Sequence, residues 1–327
     1  MAIGSKKVSI VIPTLNAGPG FEDLLEKISV QEGNFDREVL VVDSGSTDGT
    51  DELARRYGAI VHQISKAEFN HGATRNLGIS LARGEYVILT VQDAVPFDER
   101  WMAAMVENLE RDERVVGVYG RQIPHPDSSA LTRVLVNNLA TAGLERREHF
   151  AGGPEQYRKM PPVKRRRLAA FDNVSSCLRR SVWKEMPFEK TNFGEDIRWG
   201  KRVVEAGYKT VYEPRSAVFH SHERGAVYDL RRYYVDQRVL RELFGLELVP
   251  SLARLFLAIF RFSRQLYRLL YRDEEMAAKG VLWLTLLAVR YAVPAQVGNY
   301  LGTKSGSIAH LSPRAFGKLH GFLSKGV

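Results

Sequence analysis

The chain has 327 residues, 44% hydrophobic and 26% charged, which excludes a disordered, collagen-like or coiled-coil protein and suits about two globular domains. Lys and Arg number 47 against 38 Asp and Glu, and the resulting +9 points to an anionic partner such as phosphate, nucleic acid or anionic lipid. Cys177 is the single cysteine, so an internal disulfide is excluded and a reducing compartment is expected.

Along the chain, residues 8–12 form an apolar run too short for a signal-peptide core and ended by Pro13, hence a buried strand. Helical spacing follows over 21–30, with Phe21, Leu24, Leu25 and Ile28 on one side. Strands are predicted over 38–42, 59–62 and 86–90, and helices over 50–57 and 74–82. The strands are continuously apolar rather than alternating, which indicates cover on both faces and a doubly wound, mostly parallel sheet. From Gly120 to Leu168 periodicity is weak, and Gly152-Gly153-Pro154, Pro161-Pro162 and the run 164–167 suggest a mobile loop region with some helix. Pattern returns over 171–178, in a helix over 196–206 and in a strand over 217–220.

From Tyr228 onward the chain is helical and basic. The longest uncharged apolar stretch, 280–289, ends at Arg290, so no membrane-spanning helix is expected. Arg261, Arg264, Arg268 and Arg272 recur at helical spacing beside Leu255, Phe256, Ile259, Phe260, Phe262, Leu266, Leu269 and Leu270. A basic amphipathic helix of this kind suits an anionic membrane surface. The alternatives are packing on its own domain or on a second copy of the chain.

The candidate chemistry clusters at strand ends, where open α/β sheets bind ligands. Asp43 closes the second strand and opens Ser44-Gly45-Ser46-Thr47-Asp48-Gly49-Thr50, where Asp48 or Ser46 also suits a helix cap. Asp93 follows the fourth strand in Gln92-Asp93-Ala94, a position for a divalent cation beside a nucleotide diphosphate. Asn70-His71-Gly72-Ala73-Thr74-Arg75-Asn76 opens a helix with His71 and Arg75 in reach of phosphate. In Gly194-Glu195-Asp196 the carboxylates start a helix, either as dipole partners or, for Asp196, as a general base. His220 and His222 flank Ser221; if strand geometry persists there, at most one of them faces the site.

In their order and spacing over about residues 7–225, these motifs resemble inverting family 2 glycosyltransferases of the GT-A fold. Asp172-Asn173-Val174-Ser175-Ser176 also carries this resemblance, while Asn70-His71-Gly72-Ala73-Thr74-Arg75-Asn76 and Gln92-Asp93-Ala94 are most similar to bacterial rhamnosyltransferases of O-antigen and cell-surface polysaccharide assembly. The resemblance implies a GT-A domain over 1–227, with a nucleotide-sugar half over about 7–120 and an acceptor half over about 121–227, followed by a helical basic region over 228–327. It implies donor-nucleotide contacts from Pro13, Thr14, Asn16, Asp43, His71, Arg75 and Gln92, and Asp196 as catalytic base. Asp172, Asn173, Glu195, Trp199 and Arg202 would contact the acceptor or support the active site.

Asp93 matches the last acid of the family's Asp-x-Asp metal motif, but Val91 stands at the first acidic position. The implied Mg²⁺ or Mn²⁺ would then draw on His220 or His222 as well. The implied partners are dTDP-L-rhamnose, a lipid-linked glycan acceptor and the inner face of the cell membrane, with a homo-oligomer compatible and no nucleic acid. A UDP-hexose donor is the alternative. A nucleotidyltransferase is disfavoured because Pro13-Thr14-Leu15-Asn16 is not a phosphate loop, and a nucleic-acid-binding protein because no binding motif accompanies the charge.

Overall fold

A computed structural model describes residues 6–326, which form two compact units. The first comprises residues up to 125 together with 136–221; the second comprises 126–135 and 222 onward. The division therefore falls six residues earlier than the one drawn from sequence, and a segment from the middle of the chain belongs with the C-terminal helices.

The first unit is built on a nine-stranded sheet. Its strands are β1 (Lys6–Thr14), β2 (Phe35–Asp43), β3 (Ile60–Gln63), β4 (Tyr86–Thr90), β5 (Val95–Pro96), β6 (Val115–Ile123), β7 (Arg147–His149), β8 (Ser175–Arg179) and β9 (Lys209–Phe219). The order is β3-β2-β1-β4-β8-β6-β9-β5, with β7 pairing on β9. Pairing is parallel across β3-β2-β1-β4 and again in β6-β9, while β8 runs antiparallel between β4 and β6.

The strands are continuously apolar because each face has its own core. Val8, Ile10 and Ile12 pack with Phe21, Leu24 and Ile28 of the Gly20–Ser29 helix and with Trp101 and Met105 of the Trp101–Arg111 helix. Val11, on the opposite face, joins Ile79, Leu89, Phe171 and Trp199. Each fully buried large aliphatic residue of this kind contributes roughly 1.5–3 kcal/mol. The helix His71–Leu81 begins three residues before the expected start, because the Asn70 Oδ1 cap accepts from the Ala73 amide at 3.1 Å. Gly72 is required there: a Cβ would lie 1.9 Å from the Glu189 carbonyl oxygen.

The expected mobile loop over 120–168 is instead ordered into short elements: the end of β6, helix Ala130–Asn137, β7 and helices Pro154–Lys159 and Pro162–Leu168. The basic run 164–167 lies on the last of these, whose prolines occupy the cap and first-turn positions that proline tolerates.

The second unit is helical: Ala226–Phe244, Leu252–Tyr271, Glu274–Ala277, Val281–Leu311 and Pro313–Leu323. In Leu252–Tyr271, Leu255, Leu266 and Leu270 are buried, and Leu270 joins Ala130, Val134, Met276 and Leu284 in a small core. Arg261, Arg264, Arg268 and Arg272 are all exposed, and Phe256 and Phe260 beside them are 71% and 65% exposed. Val281–Leu311 continues for 31 residues through Arg290 and Pro294. By length and composition it is long and apolar enough to cross a membrane, the helix continuing past the Arg290 that ends its uncharged run. Its middle is packed inside the unit, with Ala292, Ala295, Gly298, Asn299, Gly302 and Thr303 buried. Gly298 and Gly302 meet the Ala226–Phe244 helix so closely that a Cβ would lie 2.5 Å from the Leu230 carbonyl oxygen and 2.7 Å from that of Tyr234.

Candidate active site

The carboxyl ends of β1, β2 and β4 form one rim. Asp43 is fully buried, and each of its oxygens accepts two hydrogen bonds from the chain itself. Oδ1 takes the amides of Gly45 (3.0 Å) and Ser46 (2.9 Å); Oδ2 takes the hydroxyls of Thr14 (2.7 Å) and Ser46 (2.5 Å). The loop after β1 is stitched to the loop after β2. Asn16, in the left-handed region at φ 47°, donates its amide to Ser46 Oγ (2.8 Å) and accepts from the Thr47 amide (2.8 Å). Ala17 donates to Thr50 Oγ1 and Gly18 to Asp48 Oδ2. Asp48 also accepts from the Thr50 amide at 3.1 Å, from one position before the Gly49 N-cap.

Gln92 closes this rim from β4, its Oε1 accepting from the Leu15 amide (2.8 Å) and its Nε2 donating to the Leu15 carbonyl (3.3 Å). Pro13, Thr14, Asn16, Asp43 and Gln92 are thus brought together, and Asp43 reaches a further donor only by releasing one it already holds. Of its partners Thr14 is buried, Ser46 half-buried and Gly45 exposed.

The adjoining rim is charged. Arg75 and Glu195 form an ion pair of 2.9 Å, both side chains 7% exposed. Glu195 also accepts from Asn173 Nδ2 (3.1 Å), and Asn173 Oδ1 accepts from Ser176 Oγ (3.0 Å). Burial pushes the Glu195 carboxyl up, but the Arg75 cation and the Asn173 bond outweigh it and hold the group below its ordinary range. Arg75 therefore spends its charge on Glu195. His71 lies beside it, 3.5 Å from Nδ1 to the Arg75 guanidinium.

Asp196, next on the same helix (Glu195–Glu205), keeps some surface open and accepts only a local bond from the Ile197 amide among the bonds described for it. Burial, then the negative charges of Glu195 and Asp172, push its carboxyl up to about 8. Adjacent carboxylates in unlike surroundings thus divide: one stays ionised, the other holds its proton to neutral pH.

Asp172 accepts from the Val174 amide through Oδ1 (2.9 Å) and from Gln122 Nε2 through Oδ2 (2.7 Å). Gln122 Oε1 faces His220 Nδ1 at 3.0 Å, and His220 Nε2 lies 3.8 Å from Asp93 Oδ1. Asp93, His220 and His222 offer ligand atoms all within 4.8 Å of one another. Both histidines join because β9 ends at Phe219, so the strand alternation that would have turned one away no longer applies.

Trp199 and Arg202 stand apart from this group. Trp199 is fully buried, stacked near Phe171 (4.8 Å) and Phe188 (5.7 Å), with its indole donating to the Met186 carbonyl. It lies one turn beyond Glu195, on the helix face turned into the core. Arg202 donates to the Pro187 carbonyl at 2.7 Å. Gln122, by contrast, was not visible as a site residue: it sits in β6, a strand without a local motif.

Residues 9–167 match the model of Glycosyl transferase family 2. The chain is 28% identical over 231 residues to O-antigen chain rhamnosyltransferase WbaN of Salmonella anatum, covering 69% of this chain and 70% of that protein. It is 29% identical over 232 residues to O-antigen chain rhamnosyltransferase RfbN of Salmonella typhimurium, covering 70% of each. Among solved structures, the mannosyltransferase PcManGT of Pyrobaculum calidifontis, in complex with GDP-Man and Mn²⁺, superposes with a TM-score of 0.54 at 18% identity, over 98% of this chain and 85% of that one. TarS 1–349 of S. aureus gives 0.54 at 16% identity, over 92% and 91%. These two share the GT-A fold with this chain. The matched segment spans the stitched rim, so residues 9–167 carry a family 2 glycosyltransferase domain.

Proposed function

We propose that this glycosyltransferase moves L-rhamnose from dTDP-L-rhamnose to a lipid-linked glycan acceptor in cell-surface polysaccharide synthesis, with inversion at the anomeric carbon. The reading of the chemistry rests on Asp196, which keeps surface open beside Glu195 and has its proton affinity raised by burial and by the charges of Glu195 and Asp172. The ionised form of Asp196, whose population grows as pH rises toward about 8, removes the acceptor hydroxyl proton as that oxygen bonds to the anomeric carbon. The bond from that carbon to the diphosphate oxygen breaks, and its electron pair leaves with the nucleoside diphosphate. Glu195, held ionised by Arg75, and Asp172 keep Asp196 basic enough to take that proton.

Asp93, His220 and His222 fit a divalent cation by the closeness and type of their donor atoms. A cation bound there supplies positive charge against the departing diphosphate. Two imidazole nitrogens beside one carboxylate favour Mn²⁺ over Mg²⁺, which prefers an all-oxygen shell.

The sugar is taken from the two rhamnosyltransferase relatives. Nucleoside diphosphate release, measured across dTDP-L-rhamnose, UDP-glucose, UDP-galactose and GDP-mannose with Mn²⁺ present, should be fastest with dTDP-L-rhamnose. Preferential turnover of a UDP-hexose would instead make the protein a hexosyltransferase of the same family.

The second unit supports a place on the cytoplasmic face of an anionic membrane. Its exposed arginines at 261, 264, 268 and 272 lie opposite the buried stripe of Leu255, Leu266 and Leu270, with Phe256 and Phe260 open at their flank. Each arginine near an anionic surface contributes on the order of 1 kcal/mol at low salt. Replacing all four by Gln should release the protein from phosphatidylglycerol vesicles while preserving turnover of a soluble acceptor analogue. Undiminished co-sedimentation of a folded quadruple variant would refute membrane docking through this stripe.

A further inference from the structure

We propose that Gln122 is a positioning residue, whose side-chain amide locks His220 in the tautomer that turns a bare Nε2 toward Asp93. This rests on the cation site proposed above. The amide is 7% exposed and spans two functional groups, with Nε2 2.7 Å from Asp172 Oδ2 and Oε1 3.0 Å from His220 Nδ1. An ionised carboxylate only accepts hydrogen bonds, so the NH₂ end must face Asp172. The oxygen then faces His220, and because a carbonyl oxygen also only accepts, Nδ1 must carry the proton. In a neutral imidazole this leaves Nε2 with its lone pair, 3.8 Å from Asp93 Oδ1, a separation that a cation bonded to both would bridge.

The direction of the amide is therefore set by Asp172, and it is passed on to the histidine as a choice of ring nitrogen. One side chain couples the group beside Asp196 to the group beside Asp93, across β6 and the end of β9. Partners of this kind, behind a ligating histidine, are commonly worth about 10- to 100-fold in metal affinity.

Two variants of the full chain separate the parts. Gln122→Leu removes both bonds, and Mn²⁺ affinity measured by calorimetry in the presence of dTDP should fall about 10- to 100-fold. Gln122→Glu keeps an acceptor for His220 Nδ1–H and sets its other oxygen against Asp172, where a shared proton replaces the amide donor, so it should retain Mn²⁺ binding. In the metal-free wild type, ¹⁵N spectra of labelled histidine should show His220 protonated at Nδ1, and that signature should be lost in Gln122→Leu. A wild type that binds Mn²⁺ alongside an equally tight, natively folded Gln122→Leu overturns the role of Gln122 alone. So does His220 protonated only at Nε2, or a Gln122→Glu variant as weak as Gln122→Leu. A wild type without Mn²⁺ affinity in the presence of dTDP overturns the cation site itself, and the positioning role with it.

Discussion

The two rims of the sheet's carboxyl edge hold their acidic groups in opposite ways. Around Asp43, the carboxylate is surrounded by donors from its own chain, and the loops after β1 and β2 are tied to each other by side-chain bonds to backbone amides. Around Asp196, three carboxylates share one neighbourhood with a single buried arginine, which is committed to Glu195. The first rim is shaped in advance and electrostatically quiet. The second stores an unfavourable charge that only a proton relieves. A preformed surface suits holding a donor nucleotide, whereas a carboxyl with a raised proton affinity suits moving a proton.

The sharpest way to break this contrast is Asp196→Asn. It should lower transfer by about 10²- to 10⁴-fold while leaving nucleotide binding at the other rim near normal. The same change should stabilise the fold. Asp196 holds its proton to about 8 in the folded chain, against 3.8 ordinarily, so between those values the folded state binds the extra proton and stability falls as pH rises. Asparagine has no such proton to lose. Melting curves should show Asp196→Asn overtaking the wild type above pH 4, with the advantage levelling off beyond pH 8 at on the order of 1–2 kcal/mol after solvent screening. An advantage independent of pH would mean the carboxyl is not under the strain inferred for it.

Asn16→Ala tests the quiet rim, with a smaller effect. It removes the acceptor for the Thr47 amide and places an alanine at a left-handed φ, costing about 1–2 kcal/mol. Donor KM should rise, and the pH profile of kcat should not move. Asn16→Gly loses the same acceptor without the backbone penalty and should cost less. Equal losses for the two variants would place the whole effect in the side chain.

Much of this arrangement was legible from local sequence. The strand over 86–90, and the places of Asp43 at the end of one strand and Asp93 just past another, follow from apolar runs that stop at polar turns. The register of β6 against β9 was not, because parallel pairing joins residues nearly a hundred positions apart and leaves no local signature. Gln122 was hidden for that reason, and the burial of Trp199 was not legible because nearness to Asp196 in sequence says little about which helix face a residue occupies. The helices over 162–168 and 281–311 were obscured by residues that look like stops. Pro161 and Pro162 lie where a helix begins, and Gly298 and Gly302 allow two helices to touch.

The segment 126–135, which packs with the C-terminal helices, imposes a timetable on synthesis. Ala130 and Val134 bury against Leu270, Met276 and Leu284, residues that leave the ribosome much later. At about 5–20 residues per second, the apolar side of this short helix waits roughly 8 to 30 s for its cover. During that interval it is an uncovered sticky surface in the middle of the nascent chain, and a chain stalled or cut before Leu284 never covers it. C-terminal truncation should therefore compromise yield and solubility through residues far upstream of the cut.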